Sequence, residues 1–277
     1  MESKSLLFVT GITGFVGSSI LRNYKLFEKF QIVGSSSSNN YKFENNELIR
    51  ITSQELEIIL KQSSEINIVH LATFFSLSKN DDDKVIDANI KFGNNFLKKI
   101  SDFKVKKIIY INTIYSFSEN SGILNSTYVK SKNNFSKTLE NFCEKKNINL
   151  DELFIGNTFG KNDNRKKIIP LIIDSLKKGN ENPINNPGIY LNFLNIDLII
   201  DLIKIQLSKD SSNKYVIYSN FDYNLNSIYL FLQSILNKQR YQNIKTKKSA
   251  LKKIIPSNIN KIEIDFDIHK GLKTLVE

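Results

Sequence analysis

The chain has 277 residues, of which 40% are hydrophobic and 24% are charged, so it is long enough for one large α/β domain or two small ones. We expect neither a membrane-spanning helix nor a signal peptide, because every apolar run is too short to cross a bilayer and the first residues lead directly into a strand pattern. The single cysteine, Cys143, cannot form an internal disulfide, which indicates a reducing, cytoplasmic location.

The formal net charge of +11 is the feature of the composition that could indicate nucleic-acid binding. The lysines are scattered in pairs, however, and their longest cluster, over residues 245–253, lies far in sequence from every motif described below. We therefore favour a generally basic composition that attracts small anionic substrates, and we expect no nucleic-acid partner and no membrane partner.

In the first half of the chain, apolar runs alternate with helical patterns. The predicted strands cover residues 6–9, 31–33, 66–71, 105–111 and 150–155, and the predicted helices begin at residue 18 and cover residues 55–64, 85–100 and 128–146. Strands that alternate with helices indicate parallel βαβ units with right-handed crossovers. The predicted fold class is therefore α/β, with a Rossmann-type doubly wound parallel sheet.

The second half of the chain is less regular. Helices are predicted over residues 168–178, 197–207, 225–236 and 267–276, strands over 190–194 and 215–218, and a Pro/Asn-rich loop over 181–188. Residues 237–260 are lysine-rich and poorly patterned, which predicts surface structure. We therefore predict an NAD(P)-binding Rossmann domain over residues 1–160 and a smaller C-terminal substrate-binding region over residues 161–277, with segments around residues 190–220 returning to the core.

A glycine-rich turn follows the first predicted strand, where Gly11, Gly14 and Gly17 have the spacing G-x-x-G-x-x-G. The first glycine allows a tight turn, the second allows a pyrophosphate to approach the backbone, and the third allows the helix to pack closely on the strand. The free N–H groups at the helix start would then face an anion. This context indicates a dinucleotide site, and the alternative is a plain tight turn.

A serine tract, residues 35–38, follows the second predicted strand. Dinucleotide-binding folds usually place an acid there to bind the adenosine ribose, but the first Asp or Glu after this predicted strand is Glu44. Serine hydroxyls can donate hydrogen bonds to a 2′-phosphate, which an acid would repel. We therefore favour NADP over NAD, and the alternative is a flexible polar loop that contacts no cofactor.

Three side chains beyond the glycine turn indicate catalysis. Tyr128 and Lys132 lie four residues apart on a predicted helix and so project to one face. We expect the lysine ammonium to lower the pKa of the phenol, which could then pass a proton to a carbonyl oxygen. Thr113 follows a strand, at the edge where open α/β sheets bind ligands. The alternatives are a surface Tyr–Lys pair and a strand-capping hydroxyl.

These motifs together resemble the extended short-chain dehydrogenase/reductase family, in its nucleotide-sugar-modifying branch, over nearly the whole chain. The matching segments are residues 10–17 (T-G-x-x-G-x-x-G), His70-Leu71-Ala72 (H-L-A), Asn89 in the next helix, residues 110–113 (a strand ending in the catalytic Ser/Thr), residues 128–132 (Y-x-x-S-K), residues 157–160 (N-x-Y/F-G), residues 192–197 (D-F-I-H-V-D) and residues 271–274 (G-L-x-x-T).

The resemblance implies a role for each matching residue. Tyr128 is the implied acid/base, Lys132 would bind the nicotinamide ribose and tune Tyr128, and Thr113 would position the sugar carbonyl or hydroxyl. The implied cofactor-binding residues are Gly11, Thr13, Gly14, Phe15, Val16, Gly17, Ser35, Ser36, Ser37, Leu71, Ala72, Thr73, Asn89, Asn112, Tyr128 and Lys132. The implied substrate-binding residues are Thr73, Phe74, Thr113, Ile114, Tyr115, Asn157, Lys161 and Arg165, and no metal is implied.

Two departures from the family pattern narrow the expected reaction. The 4,6-dehydratases of the family carry Asp-Glu after the catalytic threonine, whereas Ile114 and Tyr115 stand there in this chain and cannot do that acid/base work. Leu191 replaces the arginine that usually grips the sugar nucleotide's diphosphate. The cations that could substitute for it are Lys161, Arg165 and Lys166.

The segment from residue 111 to Tyr128 is most similar to reductases of 4-keto-6-deoxy sugars, such as CDP-abequose and CDP-paratose synthases. We therefore expect an NADPH-dependent reductase of the 4-keto group of a nucleotide-linked 4-keto-6-deoxy or 3,6-dideoxy hexose that feeds surface polysaccharide. The alternatives are a sugar-nucleotide C4 epimerase with tightly bound NAD and a non-catalytic NAD(P)-binding regulator.

The family resemblance also implies a homodimer, in which the helices over residues 85–100 and 128–146 pair across a two-fold axis. The side chains that could form this surface are Phe92, Phe96, Phe135, Leu139 and Phe142. The same side chains could instead belong to the core of the protein.

Overall fold

The computed structural model describes residues 5–37, 39–240 and 243–276. Its contacts divide the chain into two compact units. Unit 1 comprises Met1–Phe154 and Ile200–Tyr215, and unit 2 comprises Ile155–Ile199 and Val216–Glu277. The functional division at residue 160 stays a prediction, because these units report packing and not ligand binding.

Seven strands of unit 1 form a continuous sheet in the order β7-β6-β5-β1-β2-β3-β4. Their bounds are β1 Ser5–Thr10, β2 Phe30–Ser36, β3 Asn39–Glu44, β4 Glu47–Ile51, β5 Ile66–His70, β6 Val105–Thr113 and β7 Asn149–Ile155. Strands β1, β2, β5 and β6 pair in parallel. Every residue of β5 is buried, as is typical of a strand covered on both faces. The predicted α/β parallel sheet is confirmed.

The helices of unit 1 follow these strands. They are α1 Phe15–Arg22, α2 Ser53–Gln62, α3 Asp82–Ile86, α4 Phe92–Ile100, α5 Ser121–Leu124 and α6 Thr127–Lys146. Helix α2 begins at a capping box, in which the Thr52 side chain accepts from the Glu55 N–H and the Glu55 side chain accepts from the Thr52 N–H. Helix α6 begins at Ser126, whose side chain caps the Val129 N–H, and ends at Asn147 in the left-handed conformation.

A β-hairpin follows β2, at the position where only a polar tract was predicted. Ser35 and Ser36 belong to the end of β2, and β3 and β4 run antiparallel beside it. The alternative of a flexible loop is therefore wrong for Ser35 and Ser36, while Ser38 lies outside the described residues. Asn45 and Asn46 turn the hairpin, both with positive φ, which asparagine tolerates better than most residues.

The single helix predicted over residues 85–100 consists of three consecutive pieces. Helices α3 and α4 are joined by a five-residue π-helical segment, Asp87–Lys91, which widens the helix by one residue. The Asn89 side chain is buried within this segment. Four residues later, Gly93 of α4 packs directly against the Phe135 ring of α6. A Cβ at this position would lie 2.3 Å from the ring, so the close contact requires glycine.

The core of unit 1 includes most of the side chains proposed for a dimer surface. Phe96, Phe135 and Leu139 are buried in one apolar cluster with Tyr110, and Phe92 and Phe142 pack against it partly buried. For Phe96, Phe135 and Leu139 the core alternative is correct. The homodimer stays a prediction.

Unit 2 contains a four-stranded sheet in the order β12-β11-β9-β8. Its strands are β8 Asn157–Phe159, β9 Tyr190–Asn195, β11 Phe221–Asn224 and β12 Thr246–Lys248, and its helices are α7 Ile168–Lys178, α9 Leu225–Leu236, α10 Leu251–Ile254 and α11 Ile268–Lys273. Strand β13, Asn260–Ile264, also belongs to unit 2, whereas helix α8 Ile196–Gln206 and strand β10 Asn213–Ser219 have residues in both units. No helix among residues 5–37, 39–240 and 243–276 combines the length and apolarity needed to cross a bilayer.

The prediction of surface structure over residues 237–260 is wrong in part. Ile244 and Ile255 are 5% and 3% exposed, and Ile244 packs in the apolar core of unit 2. The Ile244 N–H donates to Nε2 of His269 at 3.2 Å, which ties this segment to α11. The few apolar residues of this lysine-rich segment have no sustained helical or strand period, so the pattern did not reveal that Ile244 and Ile255 are buried.

Candidate active site

The glycine turn joins β1 to α1 and leaves the helix start open to an anion. Gly11 has φ +70°, and a Cβ on Gly17 would lie 2.5 Å from the carbonyl oxygen of Gly11, so both positions require glycine. Gly14 is the N-cap residue of α1, and no side chain caps the first turn, which begins with Phe15 and Val16 and contains no acid. The turn therefore fits a pyrophosphate at its backbone N–H groups.

The end of β2 lies directly beside this turn. The Gly11 N–H donates to the Ser35 carbonyl oxygen at 2.6 Å, and the hydroxyls of Thr13 and Ser36 share a hydrogen bond. The Ser35 hydroxyl is buried, and it has no hydrogen-bond partner among the residues that the structure describes. Ser37 directly follows the last residue of β2 and has φ +53°. An unpartnered buried hydroxyl at this point fits a polar ligand group that supplies the missing bond.

A cleft of about 960 Å³ opens beside Ser35 and Ser37. Its lining also includes the polar Asn40 and Ser53 and the apolar Leu56 and Phe92. The motifs did not predict Asn40 or Ser53, because both depend on the unpredicted hairpin and on the start of α2. The cleft is large enough for the adenosine half of a dinucleotide.

Strand β5 meets the end of β1 through a buried threonine. Thr10 Oγ1 accepts from the N–H groups of Leu71 and Ala72 at 3.0 and 3.1 Å and lies 3.1 Å from Nδ1 of His70. The Thr10 hydroxyl therefore donates to an unprotonated Nδ1, and His70 is neutral. Burial, together with the positive charge of Lys132, lowers the pKa of His70 to about 3.

The loop after β5 is held by Asn89 of the π-helical segment. Its Oδ1 accepts from the Thr73 hydroxyl at 2.9 Å and from the Phe74 N–H at 2.8 Å, and its Nδ2 donates to the Phe74 carbonyl oxygen and to Ser131 Oγ. The next residue, Phe75, packs against Tyr128 with the two rings in a T-shaped arrangement and their centroids 4.8 Å apart. Asn89 thus fixes, close to α6, the loop that carries the predicted binding residues Leu71, Ala72, Thr73 and Phe74.

The predicted catalytic residues Thr113, Tyr128 and Lys132 lie together in unit 1, and each is less than 9% exposed. The Thr113 side chain lies near enough to the Tyr128 hydroxyl to lower the pKa of the phenol by hydrogen bonding. Thr113 Oγ1 also accepts from the Tyr115 N–H at 3.3 Å. Lys132 Nζ donates to the Ile111 carbonyl oxygen at 2.7 Å. This arrangement aligns two hydroxyls and an amine at the carboxyl end of β6.

Burial controls the ionisation of this group. It raises the pKa of Tyr128 to about 12, and the hydrogen bond with Thr113 opposes part of the rise. It also lowers the pKa of Lys132 to about 7, against the negative charge of Glu152. The pKa of Tyr128 is therefore raised and not lowered as expected, because desolvation of the phenol is the largest effect on it.

Behind the hydroxyls lies a buried carboxylate that no motif indicated. Asn112 Nδ2 donates to Glu152 Oε1 at 2.6 Å, and the Thr113 N–H donates to Asn112 Oδ1 at 2.7 Å. Glu152 is 1% exposed. Its place in the apolar strand β7 could have been noticed in the sequence, because a carboxylate is rarely buried without a partner.

The remaining predicted substrate residues belong to unit 2. Asn157 Nδ2 donates to the Asn192 carbonyl oxygen at 3.2 Å, Lys161 is exposed, and Leu191 lies in β9. Arg165 is half-buried, and its guanidinium nitrogens donate to the carboxylate oxygens of Asp163 at 2.7 Å.

The carbonyl oxygen of Thr158 accepts a further hydrogen bond from the Arg165 guanidinium at 2.8 Å. The Asp163 carboxylate therefore offsets much of the charge that Arg165 could offer to a diphosphate. Burial, together with the charge of Arg165, lowers the pKa of the neighbouring Lys167 to about 8. Among the described residues, no group of three or more His, Cys, Asp and Glu side chains could hold a metal ion.

Comparison with known proteins identifies the class to which this fold and site belong. Residues 7–217 match the model of the NAD dependent epimerase/dehydratase family. Because the match covers most of the chain, the chain belongs to this family. It is therefore an enzyme of the extended short-chain dehydrogenase/reductase type with an NAD(P)-binding fold, and the predicted resemblance is confirmed.

Particular relatives and structures are similar to the chain at low identity. A CDP-abequose synthase of Yersinia pseudotuberculosis is 25% identical over 290 residues, which cover 92% of this chain and 99% of that protein. A CDP-abequose synthase of Salmonella muenchen is 23% identical over 185 residues, which cover 65% of this chain and 62% of that protein. The structure of UDP-glucose 4-epimerase from Thermotoga maritima, with UDP-glucose, has the same fold, with a TM-score of 0.74, 17% identity and coverage of 98% of this chain and 97% of that chain.

Proposed function

We propose that this protein is an NADPH-dependent reductase of the 4-keto group of a nucleotide-linked 4-keto-6-deoxy or 3,6-dideoxy hexose in surface polysaccharide sugar biosynthesis. The observation that carries the proposal is that Thr113, Tyr128 and Lys132 lie buried together at the end of β6, and that the two residues after Thr113 carry no carboxylate. Ile114 and Tyr115 cannot exchange protons as the dehydratase acids do, whereas reduction needs only one proton donor. The two relatives named CDP-abequose synthase support the same reaction class.

The side chains of the site would divide the work of reduction among them. Thr113 and Tyr128 would both donate hydrogen bonds to the C4 carbonyl oxygen and polarise it. Bound nicotinamide would supply the hydride to C4. Tyr128, kept protonated by burial at neutral pH, would give its proton to the oxygen as negative charge develops there. Lys132, with a pKa of about 7, would hold the nicotinamide ribose and favour this proton transfer.

The cofactor would lie along the carboxyl edge of the sheet in unit 1. The backbone of Gly11, Gly14 and Gly17 would hold its pyrophosphate, and the open start of α1 would face that charge. The adenosine half would enter the cleft beside Ser35 and Ser37. We propose NADPH rather than NADH, because serine hydroxyls there can donate to a 2′-phosphate and no acid repels it.

The phosphates of the substrate would bind cations of unit 2. Lys161 is exposed, and Lys167 lies beside Arg165, whose charge Asp163 partly offsets. Lys161 and Arg165 stay the proposed residues for a diphosphate contact. We propose a soluble homodimer that acts in the cytoplasm.

The test is an assay of NADPH consumption by the purified protein with CDP-, dTDP-, GDP- and UDP-linked 4-keto sugars. We expect rapid oxidation of NADPH with one nucleotide series, and a rate about 10² to 10⁴ lower for Tyr128→Phe, which keeps the ring but loses the proton. Copurification of tightly bound NAD, with interconversion of C4 epimers and no net NADPH consumption, would instead identify an epimerase. Retention of full function by Tyr128→Phe would exclude both catalytic roles and leave a dinucleotide-binding regulator.

A further inference from the structure

The most unusual feature of unit 1 is a pair of adjacent buried acids in β7. Asp151 and Glu152 are 0% and 1% exposed, and they point to opposite faces of the sheet because side chains alternate along a strand. Asp151 pairs with the buried Lys107 at 2.6 Å on one face. Glu152 faces the candidate active site on the other. Burying a carboxylate is costly, so each acid needs a compensating partner.

Three contacts link Glu152 to the reacting hydroxyls. Its Oε1 accepts from Asn112 Nδ2 at 2.6 Å, and Asn112 Oδ1 accepts from the Thr113 N–H at 2.7 Å. The Thr113 side chain in turn lies beside the Tyr128 hydroxyl, whose pKa it lowers. At the outer end, Glu152 Oε2 lies 3.4 Å from Nζ of Lys214, which is 43% exposed. Glu152 therefore fixes the amide orientation of Asn112, which sets where Thr113 stands.

Glu152 also supplies negative charge to the surroundings of Lys132. The groups that face Lys132 are the neutral His70 of β5, the Tyr110 ring of β6 at 4.3 Å, Glu152 of β7 and Tyr128 on its own helix. Among these four groups, Glu152 alone is a carboxylate. Its charge raises the pKa of Lys132 against the stronger effect of burial.

We propose that Glu152 is a positioning residue, which holds Thr113 in place through Asn112 and places its negative charge in the surroundings of Lys132. This inference rests on the proposed function for its kinetic consequences only. The network divides into a hydrogen-bonding part, which Asn112 transmits, and a charge part, which acts on Lys132 through space. The two parts can be separated by substitution.

Three variants separate these parts. Glu152→Gln keeps an oxygen that accepts from Asn112 but removes the charge. Asn112→Ala keeps the charge but breaks the link to Thr113. Asp151→Asn is the matched control, because it removes the neighbouring buried acid on the opposite face.

The first readout is a titration of the Lys132 side chain by NMR with isotope-labelled lysine in the cofactor-free protein, assigned with Lys132→Met. We expect Glu152→Gln to move the Lys132 titration to lower pH than in the wild type. Asn112→Ala and Asp151→Asn should leave it unchanged. An unchanged Lys132 titration in Glu152→Gln would overturn the charge part of the proposal, whether or not the protein reduces any sugar.

The second readout is the pH profile of kcat at saturating NADPH and keto sugar. We expect the alkaline limb of Glu152→Gln to shift to lower pH, since Lys132 loses its proton earlier. Asn112→Ala should lower kcat about tenfold without moving this limb, because displacing a hydroxyl by a fraction of an ångström costs rate. Asp151→Asn should lower the melting temperature and leave both kcat and the limb unchanged.

Failure of the proposed function is distinguishable from failure of this inference. If the wild type reduces no keto-sugar nucleotide, the reaction is wrong, and the Lys132 titration still decides the role of Glu152. If Glu152→Gln does not fold, Glu152→Asp replaces it, because it keeps the charge but is too short to reach Asn112. We then expect Glu152→Asp to match Asn112→Ala in kcat, and wild-type kcat in both variants would overturn the proposal.

Discussion

At the scale of single residues, desolvation sets the protonation states at the candidate site. Tyr128 and Lys132 are both buried, and burial favours the neutral form of each side chain. The pKa of Tyr128 is about 12 and that of Lys132 is about 7. The spacing of a tyrosine and a lysine in the sequence indicates that the two side chains lie close enough to interact. It does not indicate that both groups are removed from water, and this desolvation decides their pKa values.

His70 provides a residue-scale prediction about stability and pH. Its pKa is lowered from 6.5 to about 3, so the imidazole contributes fully to stability above pH 6.5 and loses that contribution as the pH falls toward 3. We expect the free energy of unfolding to fall in this window by up to about 1.4 kcal/mol per pH unit more for the wild type than for His70→Phe. Urea unfolding at several pH values between about pH 7 and about pH 4 measures both slopes.

His70→Phe is a suitable comparison because the imidazole packs among aromatic rings, including Phe96 at 5.6 Å and Phe135 at 5.0 Å. The variant also loses the acceptor for the Thr10 hydroxyl, which shifts stability at all pH values equally. Only the difference in slope therefore reports the titration. Parallel slopes for the two proteins would contradict the buried neutral histidine.

Ser35 carries a prediction about cofactor choice. Its hydroxyl is buried at the end of β2, without a partner among the described residues, and beside the cleft proposed for adenosine. We expect Ser35→Asp to raise the KM for NADPH at least about tenfold and to change the KM for NADH little, because a carboxylate repels the 2′-phosphate.

Ser35→Asn is the uncharged control, and steady-state kinetics with both cofactors measures the preference. An equal rise in both KM values would indicate a steric effect. Equal use of NADPH by Ser35→Asp and Ser35→Asn would refute a 2′-phosphate contact at this strand end.

At the scale of elements, most of the fold follows from sequence periodicity, and the exceptions have physical causes. Helices α7 and α9 have the predicted bounds because their apolar faces repeat with helical period. Strands β3 and β4 were missed because they lie at the sheet edge and are mostly half-exposed, so their alternation is weak. The signal that could have revealed them is the Asn45-Asn46 pair, which suits a two-residue hairpin turn.

The candidate site shows the same division between local and distant information. The glycine turn and the Tyr128–Lys132 spacing are local, and the sequence predicts that they lie on a strand–helix junction and on one helix. The link from Glu152 to Asn112 joins residues 40 positions apart. Without the register of β6 and β7, no pattern in one sequence pairs these two side chains.

The π-helical segment carries an element-scale prediction. Asn89 holds the loop after β5 by three hydrogen bonds, two of them to Phe74, and donates a fourth to Ser131 of α6. We expect Asn89→Ala to lower the free energy of unfolding by about 2–3 kcal/mol, since it leaves buried polar groups unpaired. Release of the loop should also raise the KM for the keto sugar about tenfold.

Asn95→Ala is the matched control, because Asn95 lies on the adjoining helix α4 and is exposed. Thermal unfolding and limited proteolysis of the loop measure the effect in both variants. Wild-type protease resistance of the loop in Asn89→Ala would show that other contacts hold it.

At the scale of the whole molecule, the net charge of +11 is spread along the chain and not concentrated in one segment. Both proposed ligands, NADPH and a nucleotide sugar, are polyanions. A diffuse positive field increases the rate at which anions reach the protein, and salt screens it over a distance of about 10 Å at 0.1 M ionic strength. The field acts on the encounter between molecules and not on the chemical step.

We therefore expect kcat/KM for the nucleotide sugar to fall several-fold as ionic strength rises from about 0.02 to about 0.5 M, while kcat stays within about twofold. Initial rates at several salt concentrations, with NADPH saturating throughout, measure both quantities. A neutral solute such as sucrose at equal osmolarity controls for effects on water. A fall in kcat with unchanged KM would place the salt effect on the folded state or on the reaction itself, and would show that the basic composition does not assist substrate capture.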